Sequence, residues 1–311
     1  MLTFLARRAL MSVIPLAGVF IGVFVLARLS GDPSALYLPV TASEETRAEF
    51  SARQGFDEPV LAQLGTYLAG VFRGDLGTSL RTGEDALDMV LRAFPVTLAL
   101  ASVAMVLAVA LAVLIGSYAA LRPNSLMDRL SSLISLAAAS LPDFWVALMG
   151  IWVFAITLGW LPTSGTAGVI AWVLPVATLL LRPLGVLVQF VRGAMVTAMS
   201  EPYIKLARSK GATERRVVMS HALRNAAAPA LTVAGDLAVG LINGAVVIET
   251  IFGFPGVGKL MIDSIIGREF AVLQAAVLVT SVAIFALNIV IDAAYAMLDP
   301  RVRTAGKAVS A

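Results

Sequence analysis

Between Ala93 and Leu121 the chain runs 29 residues without one charged side chain. About 20 apolar residues in a helix cover the ~30 Å hydrocarbon core of a bilayer. In water such a run would have to be buried on every side. Five more runs of comparable length follow the same pattern: Ala9 to Ala27, Leu130 to about Leu158, Val169 to Val191, Ala230 to Ile248 and Ala271 to Leu298. The last four are interrupted only by Asp143, Arg182, Asp236 and Asp292 respectively. Only 14% of the residues are charged and 59% are hydrophobic, against about a quarter charged in a soluble domain. The fold this implies is all-α: a polytopic membrane protein with six transmembrane helices. The first run follows Arg7-Arg8, as a signal peptide would. It is longer than a usual signal core and lacks a small-residue cleavage site before "RLSGDPS", so it reads as a retained first span.

Six spans put both ends on one side. With the N-terminus inside, the inner segments hold 14 Lys and Arg and four acids. The outer segments hold eight basic residues over a greater length, with more acids than that. The positive-inside rule then predicts an N-in/C-in orientation. The organisation that follows is a cytoplasmic N-terminus (residues 1–8), a first span (9–29), an outer loop (30–92), a membrane domain (93–298) and a cytoplasmic tail (299–311). An inner loop at 192–229 interrupts the membrane domain. The outer loop carries two short helical patterns, "EETRAEFSARQ" and "EDALDMVLRAF", around the turn "FRGDLGTSLRTG". "GWLPTSGTAG", Gly159 to Gly168, reads as a turn cluster.

Several chemistries are excluded or weakened. Without Cys there is no disulfide, thiol catalysis or thiolate metal site. A single His with no acid at ligand spacing argues against zinc. No basic cluster is interleaved with aromatics, so nucleic acid is not an expected partner. "GFPGVGKL" has the glycine and lysine spacing of a phosphate-binding loop, after a "GAVVIETIF" that could pass for its strand. However, Leu260 replaces the hydroxyl residue that would hold Mg²⁺, and the topology puts the stretch outside. Pro255-Gly256 is read as a turn there, with Gly253 and Gly258 as flexible flanks.

The inner segment "SEPYIKLARSKGATERRVVMSHALRNAAAPALT" predicts a helix to Lys210, a break at Gly211, and a second helix capped by Thr213 and running to about Ala227, with Pro229 opening the fifth span. The second helix is short, basic and only partly apolar (Val217, Val218, Leu223). On composition alone it fits two roles: an interfacial helix on anionic lipid, or a helix that docks into a groove of a soluble partner.

The segment resembles the cytoplasmic coupling loop, or EAA loop, of permease subunits in ABC importers. Lys205, Leu206, Ala207 and Gly211 occupy its positions, with Lys for the Glu and Leu for the first Ala. Those departures, and the longer Gly-to-Pro distance, are similar to the dipeptide/oligopeptide/nickel branch. Tyr203, Ala207, Arg208, Lys210, Gly211, His221, Ala222, Leu223, Arg224, Asn225, Ala226 and Pro229 fit its form. "LARRAL", "GDPS", "GDLGTSLRTG", "DRLSSLISL", "ETIFGFPGVGKLM" and "LNIVIDAAYAMLDPRVR" extend the likeness over nearly the whole chain. The short ends favour the B-type subunit.

The resemblance implies a non-enzymatic permease subunit that forms half of a translocation path for small peptides. Nickel chelates, glutathione or another small solute are alternative cargoes. The implied partners are a second, C-type permease, two cytoplasmic ABC ATPase subunits that carry ATP and Mg, an external solute-binding protein and membrane lipid. The implied location is the bacterial cytoplasmic (inner) membrane, and no cofactor is expected on this chain. Expected coupling residues are Ala207, Arg208, Lys210, Gly211, Arg215, Arg216, His221 and Arg224. Glu249, Phe252, Pro255, Gly256 and Gly258 are expected at an outer gate or binding-protein contact. Ionisable groups inside spans are costly and mark function by default. Asp143, Arg182, Asp236, Asn288 and Asp292 are therefore candidates for the path. Asp143 and Arg182 fit equally a structural pair satisfying two buried charges, and Asn288 with Asp292 a polar contact between spans. The carboxylates also keep an ion-coupled secondary transporter open as a reading of another class.

Overall fold

The computed structural model describes residues 2–29, 37–39, 41–53 and 55–298. In chain order the helices are α1 (Leu2–Leu29), α2 (Glu44–Arg53), α3 (Val60–Arg73), α4 (Ala86–Leu121), α5 (Leu126–Ser140) and α6 (Asp143–Gly150), the last continued by a π-helical turn, Ile151–Thr157. There follow α7 (Ile170–Ser200), α8 (Pro202–Ser209), α9 (Glu214–Arg216), a second π-helical turn (Val217–Ala222), α10 (Leu223–Phe252), α11 (Val257–Ile266) and α12 (Phe270–Leu298). Among the described residues the only β pairing is an isolated bridge between Thr78 and Asp85. "GAVVIETIF" is therefore the end of α10, with no strand to feed a phosphate loop.

Among the described residues four helices are long and apolar enough to cross a bilayer, Ala86–Leu121, Ile170–Ser200, Pro229–Phe252 and Phe270–Ile291, and α5 with α6 makes a fifth if the bent pair is one span. The helix α1 is continuous over Leu2–Leu29, and among the described residues its apolar stretch is Ile14–Ala27.

Four expectations are corrected. The third run is not one straight helix: α5 and α6 meet at 104°. Leu141 and Pro142 are extended there, with ψ of 136° and 134°. Pro142 supplies no N–H and its ring disfavours helical geometry at the residue before it. "EDALDMVLRAF" is no separate outer helix but the first turns of α4, which starts at Ala86. The second helix of the 192–229 segment does not end near Ala227: it runs on from the π turn as α10 to Phe252, with Pro229, where the fifth apolar span begins, inside it. Proline is tolerated in membrane helices because neighbouring groups satisfy the freed carbonyl. Gly258 is not a flexible flank: it is buried in the first turn of α11.

The chain divides into two compact units, Met1–Thr97 with Pro255–Ile289, and Leu98–Phe254 with Val290–Ala311. In the first, Leu76, Ala86, Val90 and Ala93 pack with Val257, Val272, Ala275 and Ala276. Phe20 and Phe24 of α1 stack on Tyr67 of α3, at 5.0 and 6.0 Å. Glu269, at the start of α12 and almost fully buried, ties down the 79–84 turn. Its carboxylate accepts from the Ser79 hydroxyl at 3.1 Å and from the Leu80 and Arg81 amides, both at 2.9 Å. The Tyr37 hydroxyl donates to the Gly267 carbonyl at 2.7 Å, and burial together with the Glu269 charge pushes its pKa up to about 12. The raised value means this tie holds below the ordinary tyrosine range and fails only as pH climbs through 12.

Hydrogen bonds to a charged acceptor contribute about 1.5–3 kcal/mol each. Glu269→Gln keeps the shape and loses the charge, so it is expected to destabilise by about 1–3 kcal/mol. The change should also loosen the 79–84 turn, read as faster amide exchange at Leu80 and Arg81. Unchanged exchange there would remove Glu269 from this role.

In the second unit α7 is central and packs most extensively on α10 and α5. The α5–α7 seam is antiparallel and read by one face of each helix. Gly185 lies so close to α5 that an added Cβ would sit 2.3 Å from the Ser135 carbonyl. One turn on, Gln189 donates to the Ser132 carbonyl at 2.8 Å. A further turn on, Arg192 grips Asp128 through two nitrogens, the Nη2 bond being 2.7 Å. Residues 185, 189 and 192 are spaced i, i+4, i+7, the period that puts them on one helical stripe.

Candidate functional site

The segment at 192–229 folds as a helix–glycine–helix unit. Pro202 sits in the first turn of α8, where a missing N–H costs nothing. The helix ends in a Schellman motif: the Ala212 amide donates to the Ala207 carbonyl at 3.1 Å and the Gly211 amide to the Arg208 carbonyl at 2.9 Å. That motif needs a left-handed residue, and Gly211 has φ +81°. Thr213 stands at the N-cap of α9 in extended conformation but makes no side-chain cap bond. Asn225 closes the unit, donating to the Tyr203 hydroxyl at 3.1 Å and the His221 carbonyl at 2.7 Å.

One face of this unit is spent inward. Ile204, Val217, Val218, Ala222 and Ala226 are buried against Val191, Met195 and Ala198 of α7 and Ala120 of α4. The other face is open and mixed. Leu206 and Met219 are 55% and 58% exposed, among exposed Lys205, Lys210, Arg215, Arg216 and Arg224. Arg208 pairs with Glu214 across the Gly211 break, at 2.8 and 3.1 Å. That hydrogen bond holds Glu214 below its ordinary value, so the tie is complete above the usual carboxylate range and is lost only as pH falls through the lowered value. Ala207 is half-buried, as is His221, which lies on the π turn.

The charged candidates inside the spans are scattered over several helices. Asp143 starts α6 and lies over Gly244 of α10, its Oδ2 3.6 Å from where a Cβ there would be. Arg182, on α7, is exposed and near enough for its charge to act on Asp143. Among the described residues the two form no ion pair. Asp236 is exposed on α10 and Asn288 is half-buried on α12. Asp292 lies on α12, but its side chain is outside the described residues.

At the opposite end of α10, Gly253 is left-handed at φ +67° and the Phe254 amide returns to the Glu249 carbonyl at 2.9 Å. Glu249, Phe252 and Phe254 are fully buried. Phe254 meets Trp172 edge-on at 5.0 Å, and the Gly165 amide donates to the Phe252 carbonyl at 2.9 Å. Of the expected outer residues, only Pro255 is exposed, while Gly256 is buried at the N-cap of α11. The Val257 amide is capped by the buried Thr97 hydroxyl at 2.9 Å. Lys259 pairs with Asp263 one turn on, the ordinary habit of a helix lysine.

Asp128, Arg192, Gly185, Glu269 and Thr97 were not singled out by the sequence. A hint existed for Arg192 and Gly185: with Gln189 they form a small and polar stripe on an otherwise apolar helix. Thr97 and Glu269 act across 160 and 188 residues or more, a separation that leaves no local signal.

Apolar helices long enough to cross a bilayer, ionisable groups within them and a basic helix–glycine–helix unit define a polytopic helical membrane protein. Comparison with known proteins narrows this. The chain belongs to the family described as binding-protein-dependent transport system inner membrane component, whose pattern matches residues 112–304. It is 33% identical over 314 residues to the oligopeptide transport system permease protein AppB of Bacillus subtilis, covering 97% of this chain and 99% of that protein. It is 36% identical over 333 residues to the di/tripeptide transport system permease protein DppB of Pseudomonas aeruginosa, with coverage of 97% and 99%. The fold is similar to that of the MetNI methionine ABC transporter, with a TM-score of 0.58 at 16% identity over 68% of this chain and 96% of that one. An amino acid ABC transporter gives 0.55 at 15%, over 68% and 94%.

Proposed function

We propose that this chain is the B-type permease subunit of an ATP-driven importer for small peptides in a bacterial cytoplasmic membrane, with both termini inside. It forms half of the translocation path with a C-type permease. Two cytoplasmic ATPase subunits hold ATP and Mg and move the unit from Ala207 to Arg224. An external binding protein delivers the solute. The peptide cargo rests on the transport named for the relatives that match almost end to end.

The observation that carries the coupling role is the division of faces in the inner loop. An interfacial helix would turn its apolar face to lipid. Here that face is consumed by α7 and α4, and what remains open is Leu206 and Met219 together with exposed cations, the mixture of apolar and charged groups that a docking surface uses. Lys210, Arg215, Arg216 and Arg224 supply the rim, and Gly211 sets the angle between the two helices. Asp143, Arg182 and Asp236 are proposed to line the path or its partner interface. Glu249 and Phe252 lie buried under the turn that exposes Pro255, with Gly256 and Gly258 buried at the start of α11.

The chain has no Cys, so single cysteines report without background. Met219→Cys is expected to cross-link to a soluble ATPase subunit and to lose that product when the ATPase is omitted. Labelling of Met219→Cys only by lipid-soluble reagents would contradict the docking role. Lys259→Ala is expected to leave ATP hydrolysis by the assembled complex unchanged, since Lys259 serves Asp263. Loss of nucleotide binding in that variant would overturn the assignment of ATP to the partners.

A further inference from the structure

The helix α3 turns an apolar face outward. Its inward face is already committed. Tyr67 stacks on Phe20 and Phe24 of α1. Val71 packs against Leu76, Val90, Val272 and Ala276. The buried Gln63 donates to the Glu58 carbonyl at 2.7 Å. On the open side Leu61, Gly65, Leu68 and Phe72 are spaced i, i+4, i+7 and i+11, so they share one stripe. Leu61 and Phe72 at its ends are 82% and 89% exposed. No residue from Val60 to Phe72 is charged, whereas a helix facing water sets polar and charged residues on its open side. The neighbouring α2 does so, with Glu44, Glu45, Arg47, Glu49 and Arg53.

Two anchors fix the depth of α3. Phe24 and Phe20 come three and seven residues before Ala27, where the apolar stretch of α1 ends. That is about 5 and 10 Å along the helix. Val272 and Ala276 come two and six residues after Phe270, where the apolar span of α12 starts. That is about 3 and 9 Å along it. Tyr67 and Val71 are thus held at one level, just inside the ends of two membrane helices. An interfacial helix sits about 5–10 Å into the boundary between headgroups and acyl chains. With 14 residues, α3 falls short of the ~20 needed to cross, so it lies along this level. Val25 and Leu26 of α1, beside Phe24, are exposed there as well. A water-soluble partner would meet polar groups among the apolar ones, and the stripe offers none. Arg73, exposed at the last position of α3, has the long stem that lets a cation reach headgroup phosphates.

We infer that α3 is an interfacial helix whose stripe from Leu61 to Phe72 lies among the acyl chains of one leaflet, so that bilayer lipid covers this face. The inference rests on the spanning reading of α1 and α12, and not on the coupling unit or the cargo. Its failure leaves the importer assignment standing.

The test uses the complete complex in nanodiscs of dioleoyl phosphatidylglycerol and dioleoyl phosphatidylethanolamine. A benzophenone side chain replaces Leu61 or Phe72, and Ala48 on α2 serves as the control. Illumination should add the mass of a phospholipid to the peptide carrying position 61 or 72, and none at position 48. Phe72→Asp should lower lipid capture at position 61 about tenfold, while Phe72→Leu leaves it unchanged. Capture of the second permease or of the binding protein at either position, equal lipid capture at position 48, or indifference to Phe72→Asp would each overturn the inference.

Discussion

Gly211→Pro is expected to cut ATP-driven uptake below a tenth of its normal rate while the subunit still inserts. Three features of the site oppose proline independently. The residue has φ +81°, whereas proline fixes φ near −65°. Its amide donates to the Arg208 carbonyl, and proline has none. Lys210 before it is near-helical, at φ −82° and ψ 8°, a region that a following proline disfavours. The Schellman motif cannot form, so α8 and α9 lose their fixed angle, and with it the register of Leu206 and Met219 on the open face. The spans themselves do not depend on this turn. Gly211→Ala supplies the graded control. No atom lies within 4 Å of the added Cβ, so the change costs only the left-handed strain of about 1–2 kcal/mol, and partial uptake should survive. Uptake and ATP hydrolysis in proteoliposomes, beside subunit abundance in the membrane, read the outcome. Normal uptake by the proline variant would remove the turn from the coupling mechanism.

Asp128→Ala is expected to cost about 3–5 kcal/mol, the range for breaking a buried pair by deleting one partner. The Asp128 side chain is 3% exposed and that of Arg192 28%. Deleting the carboxylate strands a largely buried guanidinium between α5 and α7. It also removes the acceptor for the Asn124 amide, at 2.8 Å. This second loss makes a sharper test possible. Exchanging the charges, Asp128→Arg with Arg192→Asp, restores opposite signs but leaves the Asn124 amide without its carboxylate. The exchange should therefore recover only part of the thermal stability of the purified complex. Full recovery would show that charge alone, and not the capped geometry at the start of α5, holds this end of the seam.

The spans were legible because the bilayer imposes one period and one length on them. The long apolar runs mark α4, α7, α10 and α12, although α7 extends to Ser200, nine residues past the run that predicts it. Gly211 was equally legible, since a lone glycine between two helical patterns has few other uses. Boundaries failed at two prolines. The sequence pattern carries the third run through Pro142, which breaks its helix, and ends a helix near Ala227 before Pro229, which lies inside a helix already begun at the π turn. Composition cannot separate those two cases. The inward and outward faces of the coupling unit were hidden for a different reason. Val217 and Val218 become anchors only when α7 supplies Met195 and Ala198, and no local pattern announces that meeting. The Asp128–Arg192 grip spans 64 residues in sequence, and in the sequence both residues read as ordinary cytoplasmic charges.

The most direct measurement of the central claim is peptide uptake into proteoliposomes containing the complete complex, with ATP and the ion gradients varied separately. Uptake should require ATP on the coupling-unit side and the loaded binding protein on the other, and should persist when every ion gradient is collapsed. Uptake driven by a proton or sodium gradient without ATP would contradict the importer assignment and return Asp143, Asp236 and Asp292 to the role of ion-coupling carboxylates.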